Sequence, residues 1–264
     1  MVELNRIAEI IGNAAPLETQ ESWDNSGWQI CLDKSNESDV NKILVSLELN
    51  EDVVAEAIAS DVQLIVCHHP LIFGGIKLVD DKSVTGNMIV KLIQNGISVY
   101  ATHTPFDKCS GGNNDYLAEL LELTEIQTIP GDETGICRMG ELKEAMEPSR
   151  LAERYAECTG QDSRNYRLAG NLNHTVKRVG LCTGAGSEFF GLAAAAGCAL
   201  FVTGDVKYHE AQHARELGIT LLDLGHFGSE QIFTENMASI LRNALGDSVE
   251  IMESQVCLNP FRAV

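Results

Sequence analysis

Leu64-Ile65-Val66-Cys67-His68-His69-Pro70 is a short apolar run that breaks into two imidazoles and a proline. A run of this length and composition fits a strand buried on both faces, the kind found inside an α/β sheet. Working outward, the stretch is the middle of a unit that the chain spells twice. The first copy runs Lys42-Ile43-Leu44-Val45-Ser46, a helical segment, the quoted run, a second helical segment, then Val99-Tyr100-Ala101-Thr102-His103-Thr104-Pro105-Phe106-Asp107. The second runs Lys177-Arg178-Val179-Gly180-Leu181, helix, Ala199-Leu200-Phe201-Val202-Thr203-Gly204-Asp205, helix, then Thr220 to Glu230. Each copy closes its last strand with H-x-x-x-D/E, as His103 to Asp107 and as His226 to Glu230.

Strands alternating with helices at this interval predict α/β layers: two intertwined α/β lobes from an internal duplication, with mixed sheets flanked by helices. The lobes are expected at 1–125 and at 126–264, the second opening with a connector. Leu4, Ile7, Ala8, Ile10 and Ile11 predict an amphipathic first helix. A strand is expected over Gln29 to Leu32, a polar loop from Asp33 to Asn41, and helices over Glu51 to Ser60, Asn87 to Asn95 and Asp115 to Leu121. In the connector a strand is expected from Gly135 to Leu142 and a helix from Pro148 to Thr159, entered at its proline. The second copy should carry helices Ser187 to Ala196 and Lys207 to Leu217, then one long helix from Gly228 to about Leu245 and a closing strand Val249 to Ser254.

Composition removes several classes of function. The chain has 264 residues, 44% of them apolar, enough for one large or two small cores. A formal charge of -19 with no clustered Lys/Arg run excludes a nucleic-acid surface, because phosphate binding needs a basic stripe. Eight cysteines without a C-x-x-C pair point to a reducing cytoplasm and mostly buried thiols. The most apolar stretch, Gly191 to Val202, is shorter than the roughly 20 residues of a spanning helix, so no membrane segment is expected.

Ligands in open α/β sheets bind at the carboxyl ends of strands, which is where the histidines fall. Taken singly, each histidine is most simply an interior or turn residue; an adjacent pair at a strand end alters that, since burying two imidazoles without partners is costly. Pro105 forbids an ordinary helix interior and predicts an extended or turned presentation of His103 and Asp107. Glu230 is expected in the first turn of the long helix, where the positive helix end favours a carboxylate. Together His68, His69, Asp107, His226 and Glu230 are borderline nitrogen and oxygen donors that suit two divalent ions of Zn, Fe, Mn or Ni, with coordination positions left open. His103, His209 and Asp205 remain as neighbours of the ligands, His103 and His209 being the candidates for proton transfer. His209 and His213 also share a helix face, a spacing that more often reflects coincidence than a metal. Cys67 and Cys109 are read as small filler, and Thr183-Gly184-Ala185-Gly186-Ser187 as a tight turn rather than a phosphate loop.

The chain resembles the Nif-three-like proteins, also known as GTP cyclohydrolase I type 2 homologues. The matching pieces are Trp23-Asp24-Asn25-Ser26-Gly27, Cys67-His68-His69-Pro70-Leu71-Ile72-Phe73, His103-Thr104-Pro105-Phe106-Asp107, Gly111-Gly112-Asn113, Thr183-Gly184-Ala185-Gly186, Thr203-Gly204-Asp205 and His226-Phe227-Gly228-Ser229-Glu230. They span almost the whole chain in the family's order. Asp205 stands where the family often has Glu, Cys31 or a neighbour where it has Gly, and an extra domain of longer relatives is absent.

The resemblance implies a dinuclear metal centre and a toroidal homohexamer built as a trimer of dimers. It implies that His68 and His226 serve one ion, His69 and Asp107 the other, with Glu230 bridging. It further implies a hydrolase that opens the guanine ring of GTP to formate and dihydroneopterin triphosphate, with water attacking C8. A chain this acidic needs its metals, and Lys77 or Lys108, to receive a triphosphate. The rival expectations are a metal-binding scaffold or metallochaperone-like protein without turnover, and a metal-dependent phosphoesterase.

Overall fold

The computed structural model describes residues 2–32, 39–172 and 174–262. The chain divides into two compact units, Met1–Cys109 with Phe233–Leu258, and Ser110–Ile232 with Asn259–Val264. It is a mixed α/β protein with two mixed sheets flanked by helices.

In the first unit the five strands lie in the order Glu250–Glu253, Lys42–Ser46, Leu64–Cys67, Ser98–Ala101, Gly27–Ile30. The first four are parallel and the last is antiparallel. Leu64–Cys67 is the central strand, and all four of its residues are buried, as a run without polar alternation requires. Helices Glu51–Ala59 and Val84–Gln94 cover the sheet through Val53, Val54, Ala57, Met88, Ile89 and Leu92, packed on Ile65 and Val99. The first of these helices begins where Asn50 accepts a hydrogen bond from the Val53 amide at 2.8 Å, with Glu51 and Asp52 in the first turn. Helix Leu4–Ala14 buries Leu4, Ile7 and Ile11, the stripe its spacing predicts. Val2–Glu3 pairs with Asp39–Val40; the rest of the expected polar loop, 33–38, lies outside the described residues.

The second unit repeats the plan. Its order is Leu123–Thr128, Arg138–Met146, Val176–Leu181, Leu200–Thr203, Thr220–Asp223, Arg167–Ala169, with the middle pairs from Val176–Leu181 to Thr220–Asp223 parallel and the outer pairs antiparallel. In both sheets three parallel strands, consecutive within the repeat, lie side by side, and an antiparallel strand closes the edge beside the third.

Several local expectations shift. The connector strand runs Arg138–Met146, later than Gly135 to Leu142, because Asp132 ties the turn as far as the Cys137 amide. Leu123–Thr128 is an edge strand of mostly polar side chains and Arg167–Ala169 one of three residues, so neither gave an apolar run. The expected Ser187 to Ala196 helix opens as a tighter turn, Ser187–Phe189, before Phe190–Ala195. Pro105 sits in a short helix, Thr104–Lys108, not in an extended loop: a proline at the first helical positions has no amide partner to lose. The helix expected from Gly228 is two, His226–Glu230 and Ile232–Leu245. Glu230 therefore ends a short helix and does not begin a long one.

Candidate metal centre

In the first unit the imidazoles cluster at the carboxyl ends of adjacent parallel strands. His68 and His69 leave Leu64–Cys67, and both of their amides donate to the Leu47 carbonyl at 3.0 Å, which turns the chain at the strand's end ahead of Pro70. His103 follows Ser98–Ala101, where the Thr102 amide bonds the Cys67 carbonyl at 2.9 Å. The rings of His68 and His69 are 5.1 Å apart, and His103 stands 5.0 Å from the first and 5.5 Å from the second. One nitrogen from each of the three falls within 4.8 Å of the others, close enough to share a cation. Asp107, on the short helix after His103, brings Oδ1 to 3.5 Å from His68 Nε2. Phe233 lies under His68 at 5.1 Å, so this imidazole is buried against an apolar ring.

Each of these imidazoles has an acceptor for Nδ1: the Thr102 carbonyl for His68 at 2.9 Å, Glu48 for His69 at 3.3 Å and Asp24 for His103 at 2.9 Å. A proton on Nδ1 leaves Nε2 as the bare donor, the usual arrangement around a bound metal. Asp24 is the most heavily tied of these partners. It accepts from the Thr104 hydroxyl at 2.6 Å, the Thr104 amide at 3.1 Å, the Ser26 hydroxyl at 2.9 Å and the Asn25 amide at 2.7 Å. Burial opposes its charge, but hydrogen bonds from His103 and Thr104 outweigh that and hold the carboxyl well below the usual range. The Cys67 thiol, in contrast, is pushed well up by burial and by the nearby Glu48 carboxylate, so it serves as filler rather than as a nucleophile.

The second unit carries a matching group. His226 and Glu230 sit at the two ends of one short helix, with Nε2 and Oε2 3.0 Å apart. Asp205 accepts from His226 Nδ1 at 2.8 Å. It follows Leu200–Thr203 in a left-handed conformation, φ +54°, which is uncommon for a residue with a side chain and concentrates at functional sites. Glu230 is only 3% exposed. Tyr155 and Gln161 both donate to the Gly228 carbonyl at 2.8 Å and so fix the helix that carries the pair. Asp223 Oδ1 accepts from the Gly225 amide at 2.8 Å and Oδ2 from the Val206 amide at 3.3 Å, joining the two loops that bear His226 and Asp205. The correspondence with the first unit is local as well as topological: His103 with Asp107 and His226 with Glu230 have one spacing, each on a five-residue helix or its cap.

His209 stands on the exposed face of helix Tyr208–Leu217 with its ring on Tyr208, and His213 meets Phe190; neither joins the grouped donors among the described residues. The Thr183-to-Ser187 turn uses its amides internally, Thr183 to Asn114, Gly184 to Ser229 and Gly186 to Thr203, as a plain turn does. Lys108 is engaged by the Thr19 carbonyl at 2.9 Å and by Glu21 at 2.5 Å. Neither Asp24 nor Glu48 is among the candidate site residues named from the sequence. The signal available was an acidic residue inside a Trp-Asp-Asn turn and another just past the strand Lys42–Ser46.

The two mixed α/β sheets carry, at strand ends, imidazoles and carboxylates of the kind that could hold a metal ion. The sequence matches the description Duf34/NIF3 (NGG1p interacting factor 3) over residues 2–260, and the chain belongs to that family. It is 33% identical to a Clostridium perfringens protein named GTP cyclohydrolase 1 type 2 homolog, over 267 residues and 100% of both chains. It is 32% identical over 243 residues to the Helicobacter pylori protein named GTP cyclohydrolase 1 type 2, covering 92% of this chain and 93% of that one. The crystal structure of a Staphylococcus aureus protein superposes with a TM-score of 0.87 at 26% identity, over 100% of this chain and 99% of the other.

Proposed function

We propose that the protein is a dinuclear-metal-dependent hydrolase that opens the guanine ring of GTP, releasing formate and leaving dihydroneopterin triphosphate. His68 and His226 would hold one ion and His69 and Asp107 the other, with Glu230 available to both. The observation that carries the reading is the common dressing of the three ligand histidines, whose Nδ1 atoms face the Thr102 carbonyl, Glu48 and Asp205 and leave Nε2 to donate. Nitrogen and oxygen donors of this kind fit Zn, Fe, Mn or Ni, not an all-oxygen calcium site. Bound there, such ions supply Lewis acidity toward water and the substrate. The protein's own part is proton movement and orientation: His103, fixed by Asp24, takes a proton at Nε2 from the water that adds to C8 and returns it as the ring opens.

The name of the Helicobacter relative supports this choice of substrate. Family membership supports a toroidal homohexamer, which sedimentation of the purified protein checks. Among the described residues no helix is long and apolar enough to cross a membrane, and the cysteines form no disulfide, which supports a cytoplasmic setting. One observation favours the runner-up, a metal-binding scaffold without turnover: Lys108, a candidate for meeting the phosphates, is already engaged by Glu21 and Thr19.

Metal-loaded protein incubated with GTP should yield fluorescent pterin and formate, and His226→Ala should yield neither. Free phosphate without pterin would replace the reading with a phosphoesterase. Tight metal uptake without either product would replace it with the scaffold.

A further inference from the structure

Two large rings in the first unit are displayed to solvent where burial would be favourable. Trp23 and Phe73 are each 56% exposed, with centroids 6.0 Å apart. Both lie against His103, Trp23 at 5.7 Å and Phe73 at 6.2 Å, with interplanar angles of 73° and 71°. Adjacent exposed rings of this size generally mark a binding surface.

The display is built, not incidental. The Asn25 side chain donates to the Ile72 carbonyl at 2.5 Å, and Gln29 Oε1 accepts from the Ile72 amide at 3.0 Å. Gln29 Nε2 in turn donates to the Asn25 carbonyl at 2.7 Å. Both backbone groups of the residue before Phe73 are thereby pinned to the turn that carries Trp23. The same turn supplies Asp24, which orients His103. One hydrogen-bonded network therefore fixes the two rings and the imidazole together.

We propose that Trp23 and Phe73 form an aromatic wall that receives the flat heterocycle of the substrate and holds it beside His103. A planar ring laid on either face stands nearly perpendicular to the imidazole, whose edge then reaches it by a hydrogen bond. The chemical class is a nucleobase-like heteroaromatic ring, taken by stacking rather than by charge; the choice of guanine rests on the ring-opening reading above. Stacking is sequence-tolerant and needs no basic patch, in keeping with a chain of formal charge -19.

The test uses the metal-loaded full chain carrying Trp28→Phe, which leaves Trp23 as its sole tryptophan. Guanosine and GTP should both quench the Trp23 emission, and inorganic tripolyphosphate should not. Phe73→Ala should weaken guanosine binding about fivefold or more, the low end of one base–aromatic stack, and Phe73→Tyr should preserve it. No quenching by guanosine, or equal affinity in Phe73→Ala, overturns the proposal. So does a Phe73→Ala protein that changes its oligomeric state while binding guanosine as before, because the wall would then face a second copy of the chain. Quenching without pterin formation sinks the hydrolase reading alone; pterin formation without quenching sinks the aromatic wall alone.

Discussion

Replacing Gly184 by alanine strikes the second donor group without touching a donor. Gly184 has φ +65°, where a side chain costs about 1–2 kcal/mol. An ideal Cβ there overlaps Glu230 Oε1, lies 3.1 Å from the carboxyl carbon and 3.5 Å from His226 Cε1. The backbone has little freedom to yield, since the Gly184 amide donates to Ser229 at 2.9 Å and its carbonyl accepts from Gly204 at 2.8 Å. The carboxylate must retreat by on the order of 1 Å to restore normal separation, and such overpacking of a buried site costs about 1–3 kcal/mol more. We expect Gly184→Ala to lose at least about 2 kcal/mol in urea unfolding and to hold less metal per chain than the parent protein by elemental analysis. Gly191→Ala is the control, because a Cβ there meets nothing within 4 Å. A Gly184→Ala protein with the parent's unfolding midpoint and metal content would refute both the crowding argument and the role given to Glu230.

Asp24→Asn keeps the size of the side chain but removes the charge and turns one of its two acceptor oxygens into a donor, so the oxygens that now serve His103, Thr104 and Ser26 cannot all be replaced; it should lower pterin formation by about a hundredfold or more, with metal content unchanged. Loss of metal instead would make Asp24 a support of the ligand cluster rather than of proton transfer. Asp132 accepts hydrogen bonds from the Thr134, Gly135 and Cys137 amides and from the Thr134 hydroxyl; although burial opposes its charge, these hold its carboxyl below the usual range. A carboxyl depressed in the folded state stabilises above its unfolded value and loses that contribution as pH falls through the folded one, so the stability gap between wild type and Asp132→Asn should narrow below about pH 4. A gap that widens on acidification, measured by urea unfolding, refutes this. Thiol labelling should modify the exposed Cys31, Cys158 and Cys257 first and reach Cys67, Cys137, Cys182 and Cys198 only on unfolding. Burial pushes the Cys198 thiol up to about 11, which slows it further. Labelling of all eight cysteines at one rate in the native protein contradicts the burial pattern.

The parallel strands and their terminal imidazoles were legible because apolar runs such as Leu64-Ile65-Val66 and Leu221-Leu222 stand for central strands, and because chemistry collects at their carboxyl ends. The edge strands were not legible: Thr124, Glu125 and Gln127 look like loop, and only pairing with Arg138–Met146 makes them strand. Glu230 was given the wrong support, since the break after it is set by Tyr155 and Gln161 taking the Gly228 carbonyl rather than by any local stop signal. Asp24 was hidden for another reason. Its partner His103 is 79 positions away, a pairing no local pattern announces.

Strand Glu250–Glu253 binds along Lys42–Ser46, Arg242 of the preceding helix pairs with Glu253, and Ser254 reaches Glu56 at 2.5 Å. The first sheet is thus completed by a strand that follows every strand of the second sheet along the chain. During translation Lys42–Ser46 waits as an open edge, a template for mispairing, while every strand of the second sheet emerges. A nonsense codon between residues 233 and 250 would then remove no strand of the second sheet and yet leave the first without its closing strand.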